Sequence, residues 1–121
     1  MIPNDFHSAY FDTRECGQAV VLKFRVEHLN DEDNIEEIGN QLLMLVEKSG
    51  CQQLVIDLSE VRHVTSSFLA KLITLHRRMH RQERLLIVCG FTVAVKDVFE
   101  TSGLMSYLRC AANVEEALTM I

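Results

Sequence analysis

The chain has 121 residues, of which 48% are hydrophobic and 24% are charged. This length and composition suit a globular protein with one domain spanning residues 1–121, which can bury a core without disulfide bonds or a structural metal. The formal net charge is −5, and it argues against direct binding of nucleic acid, because that function needs a concentrated basic face.

The sequence shows no sign of membrane insertion or export. Its longest apolar runs, such as residues 85–89, are too short to span a bilayer. The N-terminal residues have neither a basic start nor an apolar stretch, so no secretory signal is predicted. The cysteines are scattered without a CxxC pair, which favours reduced thiols; they are Cys16, Cys51, Cys89 and Cys110. We therefore expect a cytoplasmic protein.

The first part of the chain, residues 1–28, predicts a β-hairpin. Residues 19–26 are rich in β-branched and aromatic side chains, which is typical of a strand. Residues 7–16 alternate more weakly between apolar and polar side chains, and Gly17 can supply the turn between the two segments.

A helix and a strand are predicted next. Residues 30–50 place apolar side chains at helical spacing. Asn30 or Asp31 can cap the start of this helix, and Gly50 marks its end. Residues 53–59 form a short apolar run between polar residues, as expected of a buried strand.

The remaining segments continue the alternation of helices and strands. Periodicity predicts an amphipathic helix over residues 66–82, a buried strand over 84–90, a helix over 92–103 with Thr92 as its cap, a short strand over 105–110 and a final helix over 113–121. Strands that alternate with helices after a hairpin predict a partly parallel sheet covered by helices. The predicted fold class is therefore α/β.

No catalytic or metal site is evident. The sequence lacks the glycine-rich phosphate loops and the G-x-S-x-G elbow. His76 and His80 are four residues apart on a predicted helix, but the Glu of an H-E-x-x-H motif is absent and arginines surround them. Cations suit the negative end of a helix, and contact of this basic turn with an acidic partner is an alternative. We predict no cofactor and no metal.

Three hydroxyl residues stand at the junction between a predicted strand and a predicted helix: Thr65, Ser66 and Ser67. Such residues commonly cap helices. A phosphoryl group at the same place would gain the unpaired N–H groups and the dipole of the helix start. From these residues alone, a cap and a phosphorylation switch both stay open.

The segment 53–118 resembles the STAS domain, and within that family the bacterial anti-sigma factor antagonists. The resemblance rests on an ordered set of motifs: Asp57-Leu58-Ser59 at a strand end, Thr65-Ser66-Ser67, Leu69 and Leu72 on the following helix, the apolar strand Leu85 to Cys89, the pattern Val95, Val98, Phe99, Thr101 to Leu104, and the closing Glu115 to Leu118. The common family motif has Asp before the acceptor serine and Gly two residues after it; this chain has Thr65 and Phe68 at those positions.

The resemblance implies a four- to five-stranded mixed sheet flanked by about four helices. It also implies a non-enzymatic switch that binds an anti-sigma factor, usually a serine-protein kinase, and so releases a sigma factor. The kinase phosphorylates a serine of the switch motif and a phosphatase resets it. By position the acceptor is Ser66, with Thr65 or Ser67 as alternatives.

We predict partner-binding residues at the end of the strand that precedes the switch motif, in the loop 59–66 and on the exposed face of the helix that follows; they are Asp57, Ser59, His63, Thr65, Ser66, Ser67, Lys71 and Arg78. We expect a monomer or a weak dimer. An alternative within the family is an accessory subunit docked on a transporter ATPase. An alternative from another class is a hydrolase with Ser66 as nucleophile and His63 as its base.

Overall fold

A computed structural model describes residues 2–4 and 6–121 of the chain. Its strands are β1 (Phe11–Cys16), β2 (Ala19–Phe24), β3 (His28–Leu29), β4 (Gln53–Asp57), β5 (His63–Val64), β6 (Leu85–Cys89) and β7 (Arg109–Ala111). Its helices are α1 (Glu32–Ser49), α2 (Ser66–Arg81), α3 (Val93–Thr101), α4 (Leu104–Tyr107) and α5 (Val114–Thr119). None of the helices in these ranges has the length and apolar character that crossing a bilayer requires.

Five strands form one mixed sheet in the order β1-β2-β4-β6-β7. β1 and β2 are antiparallel, whereas β2, β4, β6 and β7 pair in parallel. The remaining two strands, β3 and β5, form a short parallel pair beside the main sheet. The predicted α/β fold with a five-stranded mixed sheet is thus confirmed, with five helices in the described part instead of about four.

The predicted hairpin is also confirmed. β1 and β2 are joined through Gly17, whose φ is +62°. Glycine adopts this left-handed conformation at little cost because it has no Cβ, so the tight connection depends on the residue type found there.

Both faces of the sheet are buried, but unequally. Alternate side chains such as Leu22, Ile56 and Val88 join a large core with α1, α2 and α3, while Val55 and Ile87 join a smaller core against α5. Strands that bury side chains on both faces read as continuous apolar runs, as residues 85–89 do. The sheet is therefore a middle layer, and its strand ends are the places where polar side chains can cluster.

The ends of α1 follow local capping chemistry. Asp31 accepts hydrogen bonds from the N–H groups of Asp33 and Asn34, and Gly50 ends the helix with φ +64°. These are the N-cap and the left-handed C-terminal residue that helices commonly use. The predicted start and end of this helix are confirmed.

The structure corrects two predictions near the end of the chain. Residues 105–107 lie in the short helix α4 and not in a strand, because β7 begins only at Arg109. Thr92 occupies the N-cap position of α3, but its hydroxyl makes no cap hydrogen bond and donates instead to the carbonyl of Val61, at 2.7 Å. The strands β3 and β5 were not predicted, since two residues are too few to show a periodicity.

Candidate functional site

The predicted switch residues lie at the edge of the sheet where β4 and β6 end and where α2 and α3 begin. Polar side chains at the carboxyl ends of parallel strands commonly line ligand-binding crevices. The chain passes from β4 to α2 through residues 58–65, here called the 58–65 connection. The contacts that hold this connection determine where Ser66 is presented.

The first anchor of the connection lies at the end of β4. The Asp57 carboxylate accepts a hydrogen bond from the N–H of Ser59 at 2.9 Å, and the N–H of Leu58 donates to the carbonyl of Cys89. Gly90 adjoins this turn with φ +74°, and a Cβ on it would lie 2.3 Å from the Asp57 carboxylate oxygen Oδ1. The carboxylate therefore occupies space that any other residue at position 90 would fill.

The second anchor is the β3–β5 pair. The N–H groups of Arg62 and His63 both donate to the carbonyl of Glu27, and the N–H of Thr65 donates to the carbonyl of Leu29. These bonds attach the last residues before α2 to the segment that leads into α1. The start of α2 is consequently held against the start of α1.

Two imidazole rings lie side by side on this pair. Nδ1 of His63 is 2.7 Å from Nδ1 of His28, and the ring centroids are 4.7 Å apart. At this distance one nitrogen donates and the other accepts. No hydrogen bond joins His63, the base of the hydrolase alternative, to Ser66 in the described part of the chain; the ring nitrogen Nδ1 of His63 faces His28 instead.

Ser66 is the first residue of α2, and its side chain is exposed. The hydroxyls beside it are engaged: that of Thr65 lies 3.4 Å from the carbonyl of Leu29, and that of Ser67 lies 3.4 Å from the Glu32 carboxylate. In the described ranges, no residue hydrogen-bonds the Ser66 hydroxyl. Ser66 is thus the most exposed of the three, since Thr65 and Ser67 are both partly buried.

The helix start at this point has no side-chain cap. Thr65 is at the N-cap position with extended backbone, but its hydroxyl bonds elsewhere. The N–H groups of Ser66, Ser67 and Phe68 find no acceptor among the described residues; the first helical bond runs from Leu69 to the Thr65 carbonyl. The capping role considered for this cluster is therefore not filled, and the orphan donors of the helix start face outward.

The charges around the helix start are uneven. The first turn of α1 contains Glu32 and Asp33, and that of α5 contains Glu115 and Glu116, but the first turn of α2 contains no acidic residue. Helix starts carry about half a positive charge. That of α2 lacks the compensation that α1 and α5 carry in their own first turns.

The two basic residues predicted for partner binding lie farther along α2. Lys71 pairs with Glu36 at 2.7 Å, and its methylene stem lies over Gly39. Arg78 pairs with Glu47 at 2.9 Å, and it is about 18 Å along the helix from Ser66 at 1.5 Å per residue. The structure therefore does not bring Arg78 next to the 58–65 connection. A role of Arg78 in partner binding stays a prediction that is independent of the one made for Ser66.

A polar groove of about 610 Å³ opens beside the 58–65 connection, on the α5 side of the sheet. Lys23 at this groove pairs with Glu60 at 3.0 Å, and this partner raises the pKa of the lysine. The other lining residues include Asp57, Ser59, Gly90, Thr92 and Asn113. Across the described residues, no three His, Cys, Asp or Glu side chains converge as a metal site would require. The groove can offer hydrogen bonds and charge to a partner.

Val93 is a surface residue that the sequence analysis missed. It is the first residue of α3 and is 89% exposed, the highest value among the large hydrophobic residues described. Thr92, just before it, is bonded to Val61 of the 58–65 connection, so Val93 lies beside that connection. The sequence places Val93 in the helix predicted over residues 92–103 but does not indicate which side of that helix faces solvent; the tertiary structure shows that Val93 does.

Comparison with known sequences identifies a family and one named relative. The family profile of the STAS domain matches residues 10–117. BtrV of Bordetella bronchiseptica, which carries the provisional name anti-sigma factor antagonist, is 27% identical over 84 residues; the match covers 69% of this chain and 72% of BtrV.

Solved structures share the fold. An anti-sigma factor antagonist domain protein from Planctomyces limnophilus superimposes with a TM-score of 0.81 at 20% identity, over 94% of this chain and 98% of that one. The anti-sigma factor antagonist SpoIIAA in its unphosphorylated form superimposes with a TM-score of 0.74 at 19% identity, over 89% of this chain and 92% of SpoIIAA. The Bacillus SpoIIAA has also been solved in a phosphorylated form. At these identities the likeness concerns the fold.

Proposed function

Since this chain belongs to the STAS domain family, we propose that it works as an anti-sigma factor antagonist whose binding is controlled by phosphorylation of Ser66. In this role it is a non-enzymatic, cytoplasmic protein that acts as a monomer or weak dimer. Its partner is an anti-sigma factor with serine kinase activity, and a serine phosphatase reverses the modification. The observation that carries the proposal is the free Ser66 hydroxyl at an uncapped helix start.

The chemistry of the helix start explains why Ser66 suits this role. A phosphoryl group there would accept hydrogen bonds from N–H groups that have no other acceptor, and it would meet the positive end of the α2 dipole. The helix dipole stabilises an anion at an exposed helix start by roughly 0.3–1 kcal/mol, and repulsion from the Glu32 carboxylate, which lies 3.4 Å from the Ser67 hydroxyl, offsets part of this. The modification is therefore compatible with the folded chain, and α2 need not unfold to accept it.

The same modification would change the surface that a partner meets. It adds about −1.5 to −2 charge at pH 7, next to Ser67 and the Glu32 carboxylate. A partner surface that docks on Ser66 would have to desolvate this charge or pair it. Without an added cation opposite it, binding is expected to weaken by tenfold or more, about 1.4 kcal/mol.

We also assign Val93 to this docking surface. A β-branched side chain that is 89% exposed is available for burial by a partner, and full burial of such a side chain is worth about 1.5–3 kcal/mol. Val93 and Ser66 follow the ends of β6 and of the 58–65 connection at the same edge of the sheet. The proposed surface thus combines an apolar contact with a hydroxyl whose charge can change.

The proposal is tested by capture and phosphate mapping in cells of the source organism. Tagged wild type, Ser66→Ala and Ser66→Asp are each purified with their bound proteins, and mass spectrometry identifies both the partner and the phosphorylated residue. We expect phosphate on Ser66 of the wild type. The anti-sigma factor should be recovered with wild type and with Ser66→Ala, and at least tenfold less of it should be recovered with Ser66→Asp.

Ser106→Asp is the matched control, because Ser106 is also exposed but lies in α4. It should capture the partner as wild type does. Phosphate on Thr65 or Ser67 in place of Ser66 would move the switch to another hydroxyl. Equal capture by Ser66→Asp and wild type would rule out control through Ser66.

A further inference from the structure

The end of α2 opposite to Ser66 carries a second surface feature. Five residues line an open groove of about 270 Å³ between the last turns of α2 and α4, here called the tail groove: His76, Arg77, His80, Arg81 and Tyr107. From Ser66 to Arg81 the helix rises about 22 Å at 1.5 Å per residue. The tail groove is therefore separate from the surface proposed for the anti-sigma factor.

Aromatic rings form the apolar part of the groove. The His76 ring lies edge-on to the Tyr107 ring with centroids 5.1 Å apart, and the His80 ring stacks on His76 at 5.8 Å. Tyr107 is 47% exposed. Burial and the neighbouring His80 and Arg77 lower the pKa of His76, so His76 is mainly neutral at pH 7 and presents an apolar ring. The groove thus offers aromatic surface against which an apolar side chain can pack.

The arginines of the groove lack acidic partners. Arg77 donates from Nε to the Tyr107 hydroxyl, and Arg81 donates from Nε to the Arg77 carbonyl, both at 3.4 Å. No carboxylate of the described residues pairs with either arginine, although the adjacent Arg78 has one in Glu47 at 2.9 Å. In a chain with 17 acidic residues and a net charge of −5, this leaves an uncompensated basic patch.

We propose that the tail groove is a second docking surface, and that it binds an acidic peptide segment of a partner protein in which carboxylates flank an apolar or aromatic side chain. Charge complementarity favours this occupant, because each guanidinium can pair with a carboxylate by two parallel hydrogen bonds. Arginine and tyrosine are also the residue types that are enriched where interfaces gain most of their energy. This proposal goes beyond the role of Ser66 and does not depend on it.

The test uses the whole chain and a short fluorescein-labelled peptide in which glutamates flank a Leu-Phe pair. Fluorescence anisotropy measures affinity at physiological ionic strength, where the Debye length is about 8 Å and distant charges contribute little. We expect Arg77→Glu and Tyr107→Ala each to weaken binding about tenfold or more. Lys96→Glu, which makes the same charge change on an exposed residue of α3, should change the affinity less than twofold.

Further arms separate this proposal from its competitors. Equal losses of peptide affinity in Arg77→Glu and Lys96→Glu would show that binding depends only on the net charge of the chain. An unchanged affinity of Tyr107→Ala would show that the peptide does not bind in the tail groove. Equal binding of a peptide with Gln in place of Glu, or preferential binding of phosphatidylserine vesicles over the peptide, would overturn the acidic-peptide occupant. Amide NMR shifts should cluster at residues 76–81 and 104–108; shifts centred on Ser66 would contradict the assignment. Arg81→Glu serves as the second variant if circular dichroism shows Arg77→Glu unfolded. Because no anti-sigma factor is used, failure here leaves the proposed function intact.

Discussion

The contact between Gly90 and Asp57 leads to a quantitative prediction for stability. In Gly90→Ala the new Cβ would lie 2.3 Å from the Asp57 carboxylate oxygen and 3.2 Å from the Ser59 nitrogen. The residue also has φ +74°, which costs a non-glycine residue roughly 1–2 kcal/mol. The carboxylate must move, and its exposed hydrogen bond to the Ser59 N–H is worth a further 0.5–1.5 kcal/mol or so. We expect a total loss of about 1.5–3.5 kcal/mol.

Gly103→Ala is the matched control for this substitution. Gly103 has φ +80°, but a Cβ on it would meet nothing within 4 Å. This variant should lose only the conformational part, about 1–2 kcal/mol. Urea denaturation followed by circular dichroism measures both losses, provided that the slope of the transition is unchanged.

A double-mutant cycle isolates the contact itself. On an Asp57→Ala background the obstructing carboxylate is gone but the 3.2 Å contact with the Ser59 nitrogen remains, so Gly90→Ala should cost less than in the wild-type chain and approach the cost of Gly103→Ala. Residues in direct contact typically show such non-additivity, whereas distant ones do not. If Gly90→Ala costs the same with and without Asp57, or no more than Gly103→Ala in the wild-type chain, the packing argument for the first anchor of the connection is refuted.

Three other properties can be measured directly. Val93→Asp should reduce capture of the anti-sigma factor at least tenfold without changing the urea midpoint, because its side chain contributes little to the core; unchanged capture would remove Val93 from the docking surface. Burial and nearby negative charge raise the pKa of Cys89 to about 12. Iodoacetamide at pH 8 should therefore modify the partly exposed Cys16 first and should leave Cys89 unmodified until urea unfolds the chain. Modification of Cys89 in the folded chain would contradict this prediction. Because the pKa of His76 is lowered in the folded chain, the unfolded chain binds a proton on this imidazole more tightly, and the stability that neutral His76 contributes is present above the unfolded pKa of 6.5 and decreases as the pH falls below 6.5. His76→Gln should therefore lose less stability between pH 7 and pH 5 than wild type does. An equal loss in the two proteins would exclude this effect.

Local chemistry explains which parts of the fold are predictable from the sequence. The ends of α1 depend on Asp31 and Gly50, whose capping roles are largely decided within a few residues. Residues 105–107 belong to a segment predicted as a short strand, but in the structure they lie in one helical turn after Gly103. Because α4 packs against α3 and β7, tertiary contacts determine that choice and no local pattern reveals it.

The candidate site also has features that the sequence predicts and features that depend on tertiary contacts. The position of Ser66 at the start of a helix follows from the strand and helix around it, so the sequence predicts it. The Thr65 hydroxyl is oriented toward Leu29 and the Thr92 hydroxyl toward Val61, and these partners lie 36 and 31 residues away in the chain. Whether a hydroxyl caps its helix or bonds elsewhere could therefore be read only from the structure.

The length of α2 has a consequence for how two partners could be held together. The helix has 16 residues, or about 24 Å at 1.5 Å per residue, with Ser66 at one end and the tail groove at the other. A helix packed on a sheet keeps this span constant, in contrast to a flexible linker, whose ends sample many separations. If both surfaces are occupied, the second partner is confined near the first at a fixed spacing, and its effective concentration depends on whether the two proteins fit that spacing. In that arrangement the length of α2 sets the distance between the two bound proteins, and only pairs of proteins that fit this distance can bind at the same time.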